Sequence, residues 1–114
     1  MPERLRSLTE DTRFRVLRVL QANPEISQRD LAAAVGISLG GAHYALTALI
    51  ETGLVKLGNF GAAPDKRRYA YILTPQGVAE KASITRRFLA RKVAEYEALR
   101  AEIEALQREA SGRS

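Results

Sequence analysis

Apolar residues recur every three or four positions through most of the chain, and capping or breaking residues separate the stretches they mark. Phe14, Leu17 and Leu20, with Val16 beside them, predict a helix from Thr9 to Ala22. Thr9 is its N-cap, Glu10 and Asp11 lie at the positive end of the dipole, and Asn23-Pro24 stops it. Ser27 caps a short second helix, with Asp30 at its third position and Leu31, Ala34 and Val35 as its apolar stripe. Gly36 supplies the left-handed residue that turns the chain. Ser38 caps a third helix running to about Thr52, in which Leu39, Ala42, Leu46, Leu49 and Ile50 are expected to face the core and Gly53 to end the helix.

The period then changes. Leu54 to Leu57 predicts a short strand, Gly58 to Lys66 a loop, and Arg67 to Leu73 a second strand with Tyr69 and Tyr71 on one face. A nine-residue loop joins the two strands as a hairpin. Thr74 and Pro75 restart a helix as N-cap and first helical residue, and nothing breaks it from Val78 to Ala110. Leu89, Tyr96, Leu99, Ile103, Leu106 and Ala110 follow the spacing of heptad a and d positions, with Glu95, Glu102 and Glu109 at g and Arg100 and Gln107 at e. The expected fold class is mainly α with a small β-hairpin: a winged helix-turn-helix followed by one long, coiled-coil-like C-terminal helix. The expected organisation is a DNA-binding domain over residues 1–77 and a dimerisation helix over 78–114, with a frayed end.

Composition narrows the chemistry. With 46% apolar residues in 114, one packed domain is expected. The absence of cysteine excludes disulfides, thiolate metal sites and thiol sensing. No apolar leader follows Met1 and no run approaches a membrane span, so a cytoplasmic protein without a membrane partner is expected. The formal charge of +5 favours a polyanionic partner. Residues 1–77 hold 10 basic and 7 acidic side chains and residues 78–114 hold 8 and 6, so placement matters more than the sum. No Ser-His-Asp arrangement, phosphate-binding Gly motif or carboxylate pair points to catalysis, and no cofactor is expected.

A Ser-capped short helix, a Gly turn and a second Ser-capped helix describe a helix-turn-helix, and the hairpin after it is the wing. Excluding the apolar stripe leaves Ser38, Gly41, His43, Tyr44 and Thr47 on the presented side of the third helix, a shape suited to a major groove. Leu39 opens the same helix with Gly40 and Gly41, two small residues that permit close approach where free N–H groups bind phosphate. Ser27, Gln28 and Arg29 are placed for the DNA backbone. Asn59, Lys66, Arg67 and Arg68 lie on the wing, where an Arg can reach a minor groove. Each has a plainer alternative. His43 could be structural or, alone, a poor metal ligand; Tyr44 could be core; Tyr69 and Tyr71 suit hairpin packing; Lys66 to Arg68 could be a solvated turn.

Gly36-Ile37-Ser38, the helix end Leu49-Ile50-Glu51-Thr52-Gly53-Leu54-Val55, and the wing pattern of Asp65-Lys66-Arg67, five residues, then Leu73-Thr74-Pro75-Gln76-Gly77 together resemble MarR-type regulators. The resemblance implies that Arg67 enters the minor groove and that Asp65 orients it. More narrowly, Ile37-Ser38-Leu39-Gly40, Tyr44, Ala48-Leu49-Ile50, Gly58-Asn59-Phe60 and Tyr69-Ala70-Tyr71 resemble the subgroup associated with bacterial exopolysaccharide loci. Typical members dimerise through a helix ahead of the first one here and two after the wing. With one continuous helix after Pro75, the family's aromatic-effector pocket is not expected, and no effector is assigned.

A helix from Pro75 to Ala110 runs about 54 Å at 1.5 Å per residue, against a radius of gyration of about 12 Å for a domain of the remaining size. Its apolar stripe is therefore expected to need a second copy, through Leu89, Tyr96, Leu99, Ile103 and Leu106, with parallel and antiparallel pairing both open. The expected function is a homodimeric transcriptional regulator, repressor-type by resemblance, that binds a pseudo-palindromic double-stranded operator. The rivals are a winged-helix protein-interaction module and a nonspecific architectural DNA binder.

Overall fold

In the computed structural model, residues 8–59 and 69–112 are described. Their elements are α1 (Glu10–Ala22), α2 (Gln28–Val35), α3 (Leu39–Glu51), β1 (Val55–Asn59), β2 (Tyr69–Leu73) and α4 (Pro75–Ala110). The chain divides into two compact units, Met1–Ile84 and Thr85–Ser114.

Local chemistry sets the first three helices. Thr9, Ser27 and Ser38 each hold extended backbone, and each side-chain oxygen accepts from the N–H three residues on, at 3.0, 3.0 and 2.9 Å. Each hydroxyl thus satisfies one amide that the first turn leaves without an internal partner. Gly36 ends α2 with φ +80°, a region an L side chain avoids, and its N–H donates to the Ala32 carbonyl at 2.8 Å. The turn brings α3 off at 102° to α2, within the range of helix-turn-helix pairs.

The core is built from Val16, Leu17 and Leu20 of α1, Leu31, Ala32 and Val35 of α2, Ala42, Ala45, Leu46 and Leu49 of α3, and Leu54 and Val55 at the hairpin base. Two expected core positions are corrected. Leu39 is 49% exposed. It opens α3 beyond the edge of the core, and the turn residue Ile37 packs there instead. Ala34 is exposed and Ala32 is buried. At 100° per residue the buried arc of α2 runs from Leu31 through Val35 to Ala32, leaving Ala34 outside it.

The strands pair antiparallel, with Val55 opposite Leu73 and Asn59 opposite Tyr69. β1 therefore continues through Gly58 and Asn59, which were expected to be loop; cross-strand pairing with Ala70 and Tyr69 holds them extended. The Tyr71 N–H donates to the Pro24 carbonyl at 2.8 Å, tying the hairpin to the loop between α1 and α2. Thr74 fastens the other end. Its N–H donates to the Leu54 carbonyl at 3.0 Å. Its hydroxyl donates to the Gly53 carbonyl at 2.6 Å and accepts from the Gly77 N–H at 3.0 Å. Gly77 is buried there, and any β-carbon on it would overlap the Leu54 carbonyl oxygen.

Among the described residues no single helix is long and apolar enough to cross a membrane. In α4 the buried residues are Gly77 and Ile84, both in the first unit. In the second unit Leu89, Val93, Tyr96, Leu99, Ile103 and Leu106 are each between 46% and 61% exposed.

Candidate nucleic-acid interface

α3 is buried on one side and open on the other. Ala42, Ala45, Leu46, Ala48 and Leu49 are buried, while Ser38, Leu39, Gly40, His43 and Tyr44 are exposed. Gly40, His43, Tyr44 and Thr47 stand at i, i+3, i+4 and i+7, so they share one face. That stripe extends about 10 Å along the axis at 1.5 Å per residue, the length of about three base-pair steps.

The members of the stripe differ in what they can offer. The His43 ring is exposed and has donor and acceptor nitrogens for a base edge. Tyr44 is 39% exposed, which places it at the surface and not in the core. Thr47 is half-buried, and its hydroxyl donates to the His43 carbonyl at 2.9 Å, so that oxygen remains only as an acceptor. The Ser38 hydroxyl oxygen is held by the cap, with its O–H still able to donate.

The two glycines of the first turn separate. A β-carbon on Gly40 would meet nothing nearer than the Ser38 hydroxyl at 4.0 Å, so nothing within the fold requires glycine there. A β-carbon on Gly41 would lie 3.1 Å from that hydroxyl and 3.6 Å from the Ile37 side chain. Gly41 is half-buried, and the cap itself accounts for its small size. Only Gly40 leaves an open approach to the helix N-terminus. That end also carries no acid in its first turn, whereas α1 has Glu10 and Asp11 and α2 has Asp30. The positive end of the α3 dipole is thus left uncompensated by its own sequence.

At the start of α2, Ser27 and Arg29 are exposed, but Gln28 is half-buried. Its side-chain amide donates to the Tyr71 hydroxyl at 3.1 Å, so part of its hydrogen-bonding capacity goes to holding the wing against the helix-turn-helix. Tyr71 packs on the core while Tyr69 is 48% exposed. Asn59 closes β1. Asp65, Lys66, Arg67 and Arg68, the wing cluster of the sequence analysis, lie outside the described residues. The positioning roles of Tyr71 and Thr74 were not foreseen. Both depend on partners more than twenty positions away, which no local pattern signals.

Among the described residues no group of three or more His, Cys, Asp or Glu could hold a metal ion. His43 is exposed on the face of α3.

A family model described as winged helix-turn-helix DNA-binding matches residues 9–56, which span α1, α2, α3 and the start of β1. No curated protein matches the chain at a significant level. Among solved structures, the transcriptional repressor CouR bound to a 23-mer DNA duplex is 28% identical, with a TM-score of 0.63 over 87% of this chain and 70% of that one. A variant of S. aureus MepR bound to an oligodeoxyribonucleotide is 21% identical, with a TM-score of 0.64 over 94% and 82%. The MarR family transcription regulator SP03579 is 19% identical, with a TM-score of 0.62 over 97% and 80%. The family model and the likeness to CouR support a winged helix-turn-helix, DNA-binding transcription regulator, and the fold is shared with a MarR family transcription regulator.

Proposed function

We propose that the chain is a sequence-specific, double-stranded-DNA-binding regulator that acts as a homodimer in the cytoplasm. The observation that carries the reading is the stripe of Gly40, His43, Tyr44 and Thr47, presented by a helix whose other side is buried and whose N-terminus lacks an acid. α3 lies in the major groove, with His43, Tyr44 and Thr47 toward base edges and Ser38, Leu39, Gly40 and Gly41 nearest the phosphates. Ser27, Gln28 and Arg29 flank the backbone. Arg67, oriented by Asp65, enters the minor groove, and Asn59, Lys66 and Arg68 lie beside it. CouR bound to a DNA duplex and a MepR variant bound to an oligodeoxyribonucleotide are both similar in fold, which supports DNA as the partner.

Residues 1–77 supply this contact, and residues 78–114 join two copies through the exposed Leu89, Tyr96, Leu99, Ile103 and Leu106. The pair reads two half-sites about one helical turn apart or a multiple of it. Repression of exopolysaccharide genes is the finer reading, supported by the resemblance at Ile37 to Gly40 and Tyr69 to Tyr71. Genome-wide mapping of bound sites tests it: a site upstream of such genes supports it, and none there removes it.

Binding to a duplex is tested by titration at 50 and 200 mM salt. With six or more phosphates neutralised by the dimer, affinity should fall by about 10³-fold or more across that range. An affinity independent of salt contradicts a DNA backbone contact. Gly40→Ala gives a second test. Alanine favours the helix by up to about 1 kcal/mol, and the position has room for it, so the urea midpoint should rise slightly while duplex affinity falls. Unchanged affinity would remove the close approach at Gly40.

A further inference from the structure

The exposed stripe of the second unit is asymmetric in charge, and this asymmetry decides how two copies meet. We infer that the Thr85–Ser114 units pair as a parallel, in-register, two-stranded coiled coil. The inference rests on the homodimer proposed above and adds its direction. Leu89, Tyr96, Ile103 and Ala110 occupy a, and Leu99 and Leu106 occupy d. A β-branched residue at a between leucines at d, as with Ile103 between Leu99 and Leu106, is the pattern that favours two parallel strands.

The flanks point the same way. In a parallel pair each g residue faces the e residue five positions on in the other copy. Glu95 then meets Arg100, and Glu102 meets Gln107, each twice by symmetry. In an antiparallel pair that superimposes the same stripe on itself, g faces g, and Glu95 of each copy meets Glu102 of the other. One direction gives two opposite-charge contacts and the other two like-charge contacts, which repel and select against it.

The single chain leaves these groups available. Arg100 is 60% exposed and touches only its own helix, at 3.3 Å from Glu104 and 4.0 Å from Glu97. Such exposed intrahelical pairs are weak and exchange readily. Lys92 is the one charged residue at a seam position. It is held by Glu95 at 3.3 Å, and it lies toward the N-terminal end of the stripe. Lys92 falls at d, where its charge costs stability.

The chain has no cysteine, so single thiols report the direction directly. Ala110→Cys is made in the full-length protein and equilibrated in a glutathione redox buffer, with Ala101→Cys on the opposite face as control. The same proteins are sized by sedimentation. In the parallel pair the two Ala110 positions adjoin, and disulfide-linked dimer should exceed the control by about tenfold or more, as expected for an effective concentration in the millimolar range. In the antiparallel pair those positions lie about 38 Å apart at 1.5 Å per residue. Cross-linking then appears only in a mixture of Leu89→Cys and Leu106→Cys chains, and that result overturns the parallel direction while leaving the dimer. A dimer that links in neither experiment also overturns it. A monomer by sedimentation removes the homodimer itself.

Discussion

Gly77→Ala is expected to destabilise the Met1–Ile84 unit by about 1–3 kcal/mol, although alanine is the better helix former by about 1 kcal/mol. The two effects oppose each other, and contact decides the sign. A β-carbon at Gly77 would fall on the Leu54 carbonyl oxygen, a backbone atom that no side-chain rotation can move. That carbonyl also accepts the Thr74 N–H, and the Thr74 hydroxyl accepts the Gly77 N–H. Relieving the overlap therefore disturbs the start of α4 and the base of the hairpin together. Urea unfolding followed by circular dichroism reads the effect as a lowered midpoint. A raised midpoint would mean that α4 and Leu54 do not approach as described.

Arg67→Ala should lower affinity for a specific duplex by roughly five- to a hundredfold, the loss expected for about 1–3 kcal/mol at a base-reading Arg. The urea midpoint and the oligomeric state should not change, since the residue is assigned no part in the core or the stripe of α4. Fluorescence anisotropy with a labelled duplex measures the loss. The outcomes separate the rivals. A protein-docking winged helix predicts that the substitution is silent on DNA. An architectural binder predicts equal loss on specific and scrambled duplexes.

The helices and their caps were legible because a cap is local chemistry: a hydroxyl and an amide three residues apart, as at Thr9, Ser27 and Ser38. The face of α3 was legible because a 3.6-residue period separates Ala42, Leu46 and Leu49 from His43 and Tyr44. Choices between similar residues were not. Ala32 and Ala34 carry the same side chain, and only the arc set by Leu31 and Val35 buries one of them. Leu39 fits the period yet lies past the edge of the core. The Gln28 contact to Tyr71 spans 43 positions, and nothing near Gln28 announces it. Gly77 entered the sequence reading through a family pattern alone, and its physical reason is the Leu54 carbonyl.

Selection from a randomised duplex library by the purified full-length protein tests sequence-specific recognition most directly. The enriched sequences should converge on a pseudo-palindrome with half-sites about one turn or a multiple apart. The winning duplex should bind about 10³-fold or more tightly than its scrambled counterpart at physiological salt. A library that shows no enrichment, or a selected duplex bound no better than its scramble, would contradict a sequence-reading role for the face of Gly40, His43, Tyr44 and Thr47.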